Sequence, residues 1–171
     1  MQSSMLPDGL APEELAAPGG EVEGTIELAS MPRLAPLLER PEGAAHLRLY
    51  GGVDEAGRRY LAGAVRAELP LRCQRCLQPF AYRVEAEFHL VLVASEQEGE
   101  ALPEELEPFV STGAVAPTEI AEEELLLALP LVARHPDDEC GTPPNSAAAA
   151  RAELSPFAAL KGRIGTGATE H

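Results

Sequence analysis

Apolar and polar residues alternate with period two along four stretches of this chain, the pattern that a half-buried β-strand requires. Val22, Gly24, Ile26 and Leu28 interleave with Glu23, Thr25 and Glu27, which predicts a first strand. Leu47, Leu49 and Val53 alternate with Arg48 and Tyr50 in a second, and Asp54-Glu55-Ala56-Gly57 then reads as a hairpin turn. On the return, Leu61, Gly63, Val65, Ala67, Leu69 and Leu71 oppose Arg66, Glu68 and Arg72. Pro70 has no N–H to donate to a ladder, so that end is expected at an edge or leaving the sheet. The strongest alternation runs from Phe80 to Ala94, with Phe80, Tyr82, Val84, Ala86, Phe88, Leu90 and Leu92 opposite Arg83, Glu85, Glu87 and His89. Val91 and Val93 make its far end apolar on both sides, which predicts that this end is covered.

Helical signals are fewer. Ser30 is expected to cap a short helix carrying Leu34, Leu37 and Leu38 on one stripe, ended by Pro41. Ser95 to Glu107 reads as an acidic loop. A helix is predicted from Pro117-Thr118, with Thr118 as cap and Glu119, Glu122 and Glu123 near the positive end of its dipole. Ile120, Ala121, Leu125, Leu127, Ala128 and Leu129 exceed a single stripe, so its last turn is expected to be well buried before Pro130. The Glu122-Glu123-Glu124 run reads as a solvated helix face. Strands joined largely by hairpins, with a few short helices, predict an α+β fold: an antiparallel β-sheet or partly closed barrel of about four to six strands with disordered termini.

Residues 1–20 are rich in Pro, Gly, Ala and Glu without periodicity, and a disordered segment is expected there. Residues 21–140 form the expected single domain, and 141–171 a linker, a short C-terminal helix and a tail. The linker contains Pro143-Pro144 and four consecutive alanines. Beyond it, Leu154 to Lys161 is an apolar helix candidate suited to docking on the domain or on a partner, with Pro156, Phe157 and Leu160 as its contact residues.

Composition sharpens this picture. Aromatic residues make up only 4% of the chain and Trp is absent, so the core rests on Leu, Val and Ala. No apolar run approaches the ~20 residues of a membrane span, and no Lys or Arg precedes Arg33, so a charged signal n-region is missing and a cytoplasmic protein with reduced cysteines is expected. The net charge of -15 argues against a surface that grips phosphate throughout. Its distribution is uneven: residues 95–124 hold ten acids and no base, whereas residues 31–90 hold nine Arg against seven acids. A basic protein partner suits the acidic segments, with Glu122 and Glu123 as candidate contacts, and the mildly basic part allows RNA contact through Arg72 and Arg75.

Arg72 and Arg75 flank the chain's most unusual chemistry, Cys73-Gln74-Arg75-Cys76 between two strand-like runs. Two thiols at this spacing can point to one side of a turn and hold a tetrahedral metal. Adding His135 and Cys140 from the Pro-bearing loop after the predicted helix completes a Cys3His set, with Asp137 or Asp138 able to replace the histidine; zinc matches these donors. A dithiol redox pair needs the first cysteine at a helix N-terminus, which the flanking strands do not provide. Small buried thiols that simply fill space are the third reading. No nucleophile elbow, zincin helix or phosphate-cradling loop is present, so no catalytic residues are assigned and no enzyme is expected.

Several motifs, taken in order, resemble a known family. Cys73-Gln74-Arg75-Cys76-Leu77-Gln78-Pro79-Phe80, Glu100-Ala101-Leu102-Pro103-Glu104, Glu122 to Val132, then His135 and Cys140, and Ser155-Pro156-Phe157-Ala158-Ala159-Leu160, are similar to the bacterial YceD family of large ribosomal RNA subunit accumulation proteins. The resemblance implies a non-enzymatic role in the synthesis, processing or stability of 23S ribosomal RNA, exerted through RNA contact or through a basic ribosomal protein or assembly factor. A zinc-binding interaction module without RNA contact is the alternative. Ser155 stands where the family often has Asn, and the tail beyond it is less basic than the family's.

Overall fold

The computed structural model describes residues 6, 9–11, 20–136 and 139–140. The four alternating stretches become strands β1 (Glu21–Glu27), β2 (Ala44–Val53), β3 (Arg59–Arg72) and β4 (Pro79–Val93), an antiparallel meander in sequence order. The hairpin turn falls where Asp54 predicts it: its carboxylate accepts the N–H groups of Ala56 and Arg58 at 2.9 and 2.8 Å. A fifth strand, β5 (Glu107–Val110), lies parallel to β4. The fold is therefore α+β with a mixed, open five-stranded sheet in the order β1 to β5.

Most of the predicted core face is realised. Ile26, Leu47, Leu49, Leu61, Val65, Leu69, Phe88 and Leu90 are buried on one face, each such side chain stabilising the fold by about 1.5–3 kcal/mol relative to exposure. Gly63 sits where β2, β3 and β4 crowd together: a Cβ there would lie 2.0 Å from the Arg48 carbonyl oxygen and 2.9 Å from the Phe88 ring. Pro70 also behaves as predicted. The β2 pairing of β3 ends at Arg66, and the Pro70 carbonyl, pointing to the vacated side, accepts the Glu39 N–H at 2.7 Å. Its missing N–H thus faces the side where no ladder partner remains.

Val91 and Val93 are buried on the opposite face, where helix α1 (Glu96–Glu100) packs against β4 and against β5, which is paired alongside it. Helix α1 arises from the stretch read as an acidic loop, and β5 begins at that stretch's last residue, Glu107. Ser95 caps α1, its Oγ accepting the Glu98 N–H at 3.3 Å, and Gly99 lets Pro108 and Val93 approach closely. Alternation over so short a strand as β5 is too brief to register as a pattern.

Other corrections concern helices. The segment from Ser30 to Pro41 makes one short 3₁₀ turn, Ala35–Leu37, preceded by another at Leu28–Ser30, because Pro36 interrupts regular bonding. Ser30 does not cap a helix; its Oγ donates to the Glu27 carbonyl at 2.7 Å. Leu34 and Leu38 are buried with Met31, but Leu37 is exposed. Helix α2 (Pro117–Leu127) is capped by Ala116 with Pro117 at its first position, so Thr118 lies inside the first turn. Its last turn is not well buried: Leu127 is exposed, as are Leu131 and Val132 beyond it. Leu10, within the segment expected to be disordered, is buried and bridged to Val115 by two backbone bonds of 2.8 Å.

The Glu122–Glu124 run is not a solvated face either, since Glu122 is 4% and Glu124 8% exposed. Glu122 Oε1 accepts the N–H groups of Arg33 and Leu34 at 2.6 and 3.1 Å, while Oε2 accepts Arg33 Nε at 3.1 Å. The excursion between β1 and β2 is thereby bolted to α2. Burial alone would raise the Glu122 pKa, but the Leu34 and Arg33 N–H groups and the Arg33 guanidinium outweigh it and lower it. Glu124 is raised, by burial first and then by Glu107 and Glu123.

These opposite shifts predict opposite mutational signs. Because the folded pKa of Glu122 is depressed, its contribution is complete above its ordinary value of 4.5 and fades as pH falls through the depressed one. Glu122→Ala, which strands two backbone donors and part of a guanidinium, should cost about 3 kcal/mol at neutral pH by urea denaturation. The Glu122→Gln and wild-type urea midpoints should converge in strong acid. Glu124→Gln should raise the midpoint at neutral pH, since its buried charge opposes folding once pH exceeds its raised pKa.

Candidate metal centre

Cys73 and Cys76 occupy the turn where β3 passes into β4. Cys73 N–H donates to the Gln78 carbonyl at 2.9 Å and the Cys73 carbonyl accepts Leu77 N–H at 2.9 Å, folding the turn back on itself. The Arg75 N–H points at Cys73 Sγ, 3.4 Å away. Closing the turn forces Leu77 to φ +62°, a left-handed conformation that a leucine adopts at an energetic cost.

The loop after α2 supplies the other wall. Gln74 N–H donates to the Ala133 carbonyl at 2.9 Å, which brings the chain at Ala133 against the cysteine turn. The Phe80 ring packs on His135 with centroids 4.8 Å apart and orients the imidazole. A further turn, with Cys140 N–H donating to the Pro136 carbonyl at 3.1 Å, returns Cys140 to the cluster. Asp137 and Asp138, the alternative ligands, lie outside the described residues.

One donor atom from each of Cys73, Cys76, His135 and Cys140 falls within 4.8 Å of all the others. Cys73 Sγ and Cys140 Sγ are 3.7 Å apart, and Cys76 Sγ is 3.4 Å from His135 Nδ1. A tetrahedral zinc ion, with Zn–S of about 2.3 Å and Zn–N of about 2.0 Å, sets edges of about 3.8 Å between sulfurs and about 3.5 Å between sulfur and nitrogen. The cluster is therefore able to hold a metal ion.

Its electrostatics favour one. Burial raises the Cys73 pKa, but the N–H groups of Cys76, His135 and Arg75 and the His135 ring overcome it and hold the thiol down to about 5. Cys140 is pushed up to about 11 by burial and by the neighbouring Cys73 and Cys76 sulfurs. A site that accepts one thiolate readily and resists the next is relieved by a divalent cation, which neutralises both. The redox reading fares worse, because Cys73 is fully buried and no helix follows the pair.

The other candidate residues are not gathered here in the same way. Arg72 is exposed, and its guanidinium grips Glu39 through two bonds, Nε to Oε2 at 2.6 Å and Nη2 to Oε1. Arg75 is exposed at the tip of the turn. Glu122 is consumed inside the fold, while Glu123 is half exposed and pairs with Arg33 at 2.6 Å. Pro156, Phe157 and Leu160 lie outside the described residues. Sequence reasoning missed Glu39, Arg33, Phe80 and the Ala133 carbonyl, whose roles depend on contacts between distant segments.

A family model for the large ribosomal RNA subunit accumulation protein YceD matches residues 61–162, from the core of β3 through all four cluster residues and beyond. The chain belongs to the YceD family. A YceD-family relative from Haemophilus influenzae, named large ribosomal RNA subunit accumulation protein YceD, is 32% identical over 142 residues, covering 82% of each chain. No solved structure matches this chain. The matched region of this YceD-family chain includes the whole cysteine turn and its closing loop, so the resemblance read from the motifs stands on the same residues as the geometry.

Proposed function

We propose that this protein is a non-enzymatic, cytoplasmic factor in the synthesis, processing or stability of 23S ribosomal RNA, built around a structural zinc centre. The observation that carries the role is the likeness to the H. influenzae protein named for large ribosomal RNA subunit accumulation, which extends over 82% of both chains. The metal reading is supported by the gathering of donor atoms from Cys73, Cys76, His135 and Cys140 within 4.8 Å of one another. Zinc bound there would cross-link the β3–β4 turn to the loop after α2 and supply no reaction. A cavity of about 760 Å³ is lined by Arg58, Arg59, Glu98, Ser111 and Thr112 among backbone and apolar groups, a set without a nucleophile activated by a base. Among the described residues, no helix is long and apolar enough to cross a membrane.

The arginine pairings favour a protein partner over direct RNA contact. Arg33, Arg40, Arg48, Arg58, Arg66, Arg72 and Arg83 each lie within 4.0 Å of an acidic side chain. A phosphate reaching Arg72 would have to displace Glu39 from a two-bond grip. The unbalanced charge is acidic and lies on α1 and the loop beyond it, at Glu96, Glu98, Glu100, Glu104 and Glu105. A basic ribosomal protein or assembly factor matches that surface.

Three measurements test the reading. Depleting the protein in its native cell should lower 23S relative to 16S ribosomal RNA, and an unchanged ratio would count against the role. Native mass spectrometry of protein purified without chelator should find about one zinc per chain, lost with Cys73→Ser or Cys140→Ser and released as acid reprotonates the ligands. In an RNA pull-down, salt-sensitive binding abolished by Arg72→Glu with Arg75→Glu would restore the direct model; its absence is the expected result.

A further inference from the structure

Beside the cysteine turn lies a groove of about 320 Å³, lined by Leu37, Leu38, Leu71 and Leu77 with Glu39, Arg72 and Gln74 among its polar groups, and with Leu37 and Leu77 as its exposed apolar walls. Its walls are open: Leu37 is 56% and Leu77 53% exposed. Leu77 is also the residue held at φ +62°, where an asparagine or glycine would sit with less strain. A strained backbone that presents a leucine to water at a groove wall points to an occupant for that groove.

The chain itself supplies one. Cys140, the last described residue, has its Sγ 3.7 Å from that of Cys73, and Cys73 lines the same groove, so the remaining chain departs from the groove's own rim. Gly141 to Glu153 then provides 13 residues before Leu154. Such a linker spans at most about 45 Å and averages about 20 Å end to end, ample to return to a site at its origin. The segment after this linker, Leu154-Ser155-Pro156-Phe157-Ala158-Ala159-Leu160, places Leu154, Phe157, Ala158 and Leu160 at helical spacing for one apolar face. The family match runs continuously from the sheet through residue 162, so the domain and this segment are matched as one unit.

We propose that Leu154–Leu160 docks in cis into the groove between Leu37 and Leu77, with Phe157 as the anchor. Tethering raises the local concentration of the segment to about the millimolar range, so a modest apolar contact suffices to keep it bound. Docking covers the exposed leucines and withholds the Ser-Pro-Phe motif from other molecules until a partner competes for it. Such docking needs neither the metal nor the ribosomal role, and its test is independent of both.

Hydrogen exchange of the full-length protein, at a concentration where it is monomeric, should show the amides of residues 157–160 exchanging at least about ten-fold slower than in an unstructured chain. Leu77→Asn, which tolerates the left-handed backbone but removes the apolar wall, should return them to the free rate while the circular dichroism and urea midpoint of the domain stay unchanged. Phe157→Ala, which leaves the domain untouched, should do the same. Free-rate exchange in the unmodified protein would overturn the proposal. So would protection that survives both substitutions, or protection that vanishes on dilution, which would mark a second copy as the occupant.

Discussion

A single carboxylate, that of Glu122, holds together parts of the chain that the sheet alone cannot. The connection between β1 and β2 carries Met31, Leu34 and Leu38 into the core but has only two 3₁₀ turns to organise it. Its backbone would leave donors without partners beneath the helix. Glu122 accepts two of those N–H groups and the Arg33 guanidinium, 88 and 89 residues away in sequence. Since a buried carboxylate is costly unless fully bonded, helix and excursion can be buried only together. Glu124, two residues on and nearly as buried, lacks such an arrangement, and its raised pKa records the difference.

The second long-range tie lies past the other end of the same helix. The loop leaving α2 meets the β3–β4 turn through the Ala133 carbonyl, the Phe80–His135 contact and the four-residue donor cluster. With Glu122 bolted to the excursion, α2 and the loop leaving it are tied at two places to segments distant in sequence. This explains how Leu127, Leu131 and Val132 stay exposed without loosening the packing: the anchoring is done by polar and thiol groups, and the final turn contributes little. A metal at the cluster would act on the fold as a disulfide does, by closing a loop of more than sixty residues between Cys73 and Cys140.

Charge follows the same logic. The mildly basic middle of the chain becomes a network of cross-strand pairs, Arg48 with Glu21, Arg66 with Glu85 and Arg83 with Glu68, on the solvent face of the sheet. Pairs of this exposed kind add little stability, but they neutralise the positive charge available to a polyanion. The acidic excess is left on α1 and the loop beyond it.

By itself the sequence determined the four long strands, their order, the hairpin turn and the likeness to a family. Those are local signals: period-two alternation over seven or more residues, turn chemistry at Asp54, and motifs read in order. The Cys3His set was also legible, because few residue types can serve and the chain has only three cysteines. Tertiary structure alone decided what each acidic residue does. A run such as Glu122-Glu123-Glu124 looks alike at all three positions, and whether a carboxylate is solvated, paired or buried depends on which distant N–H groups meet it. The parallel β5, the placement of Leu10 and the capture of Arg72 by Glu39 belong to the same class, since each is a pairing between segments that share no local pattern.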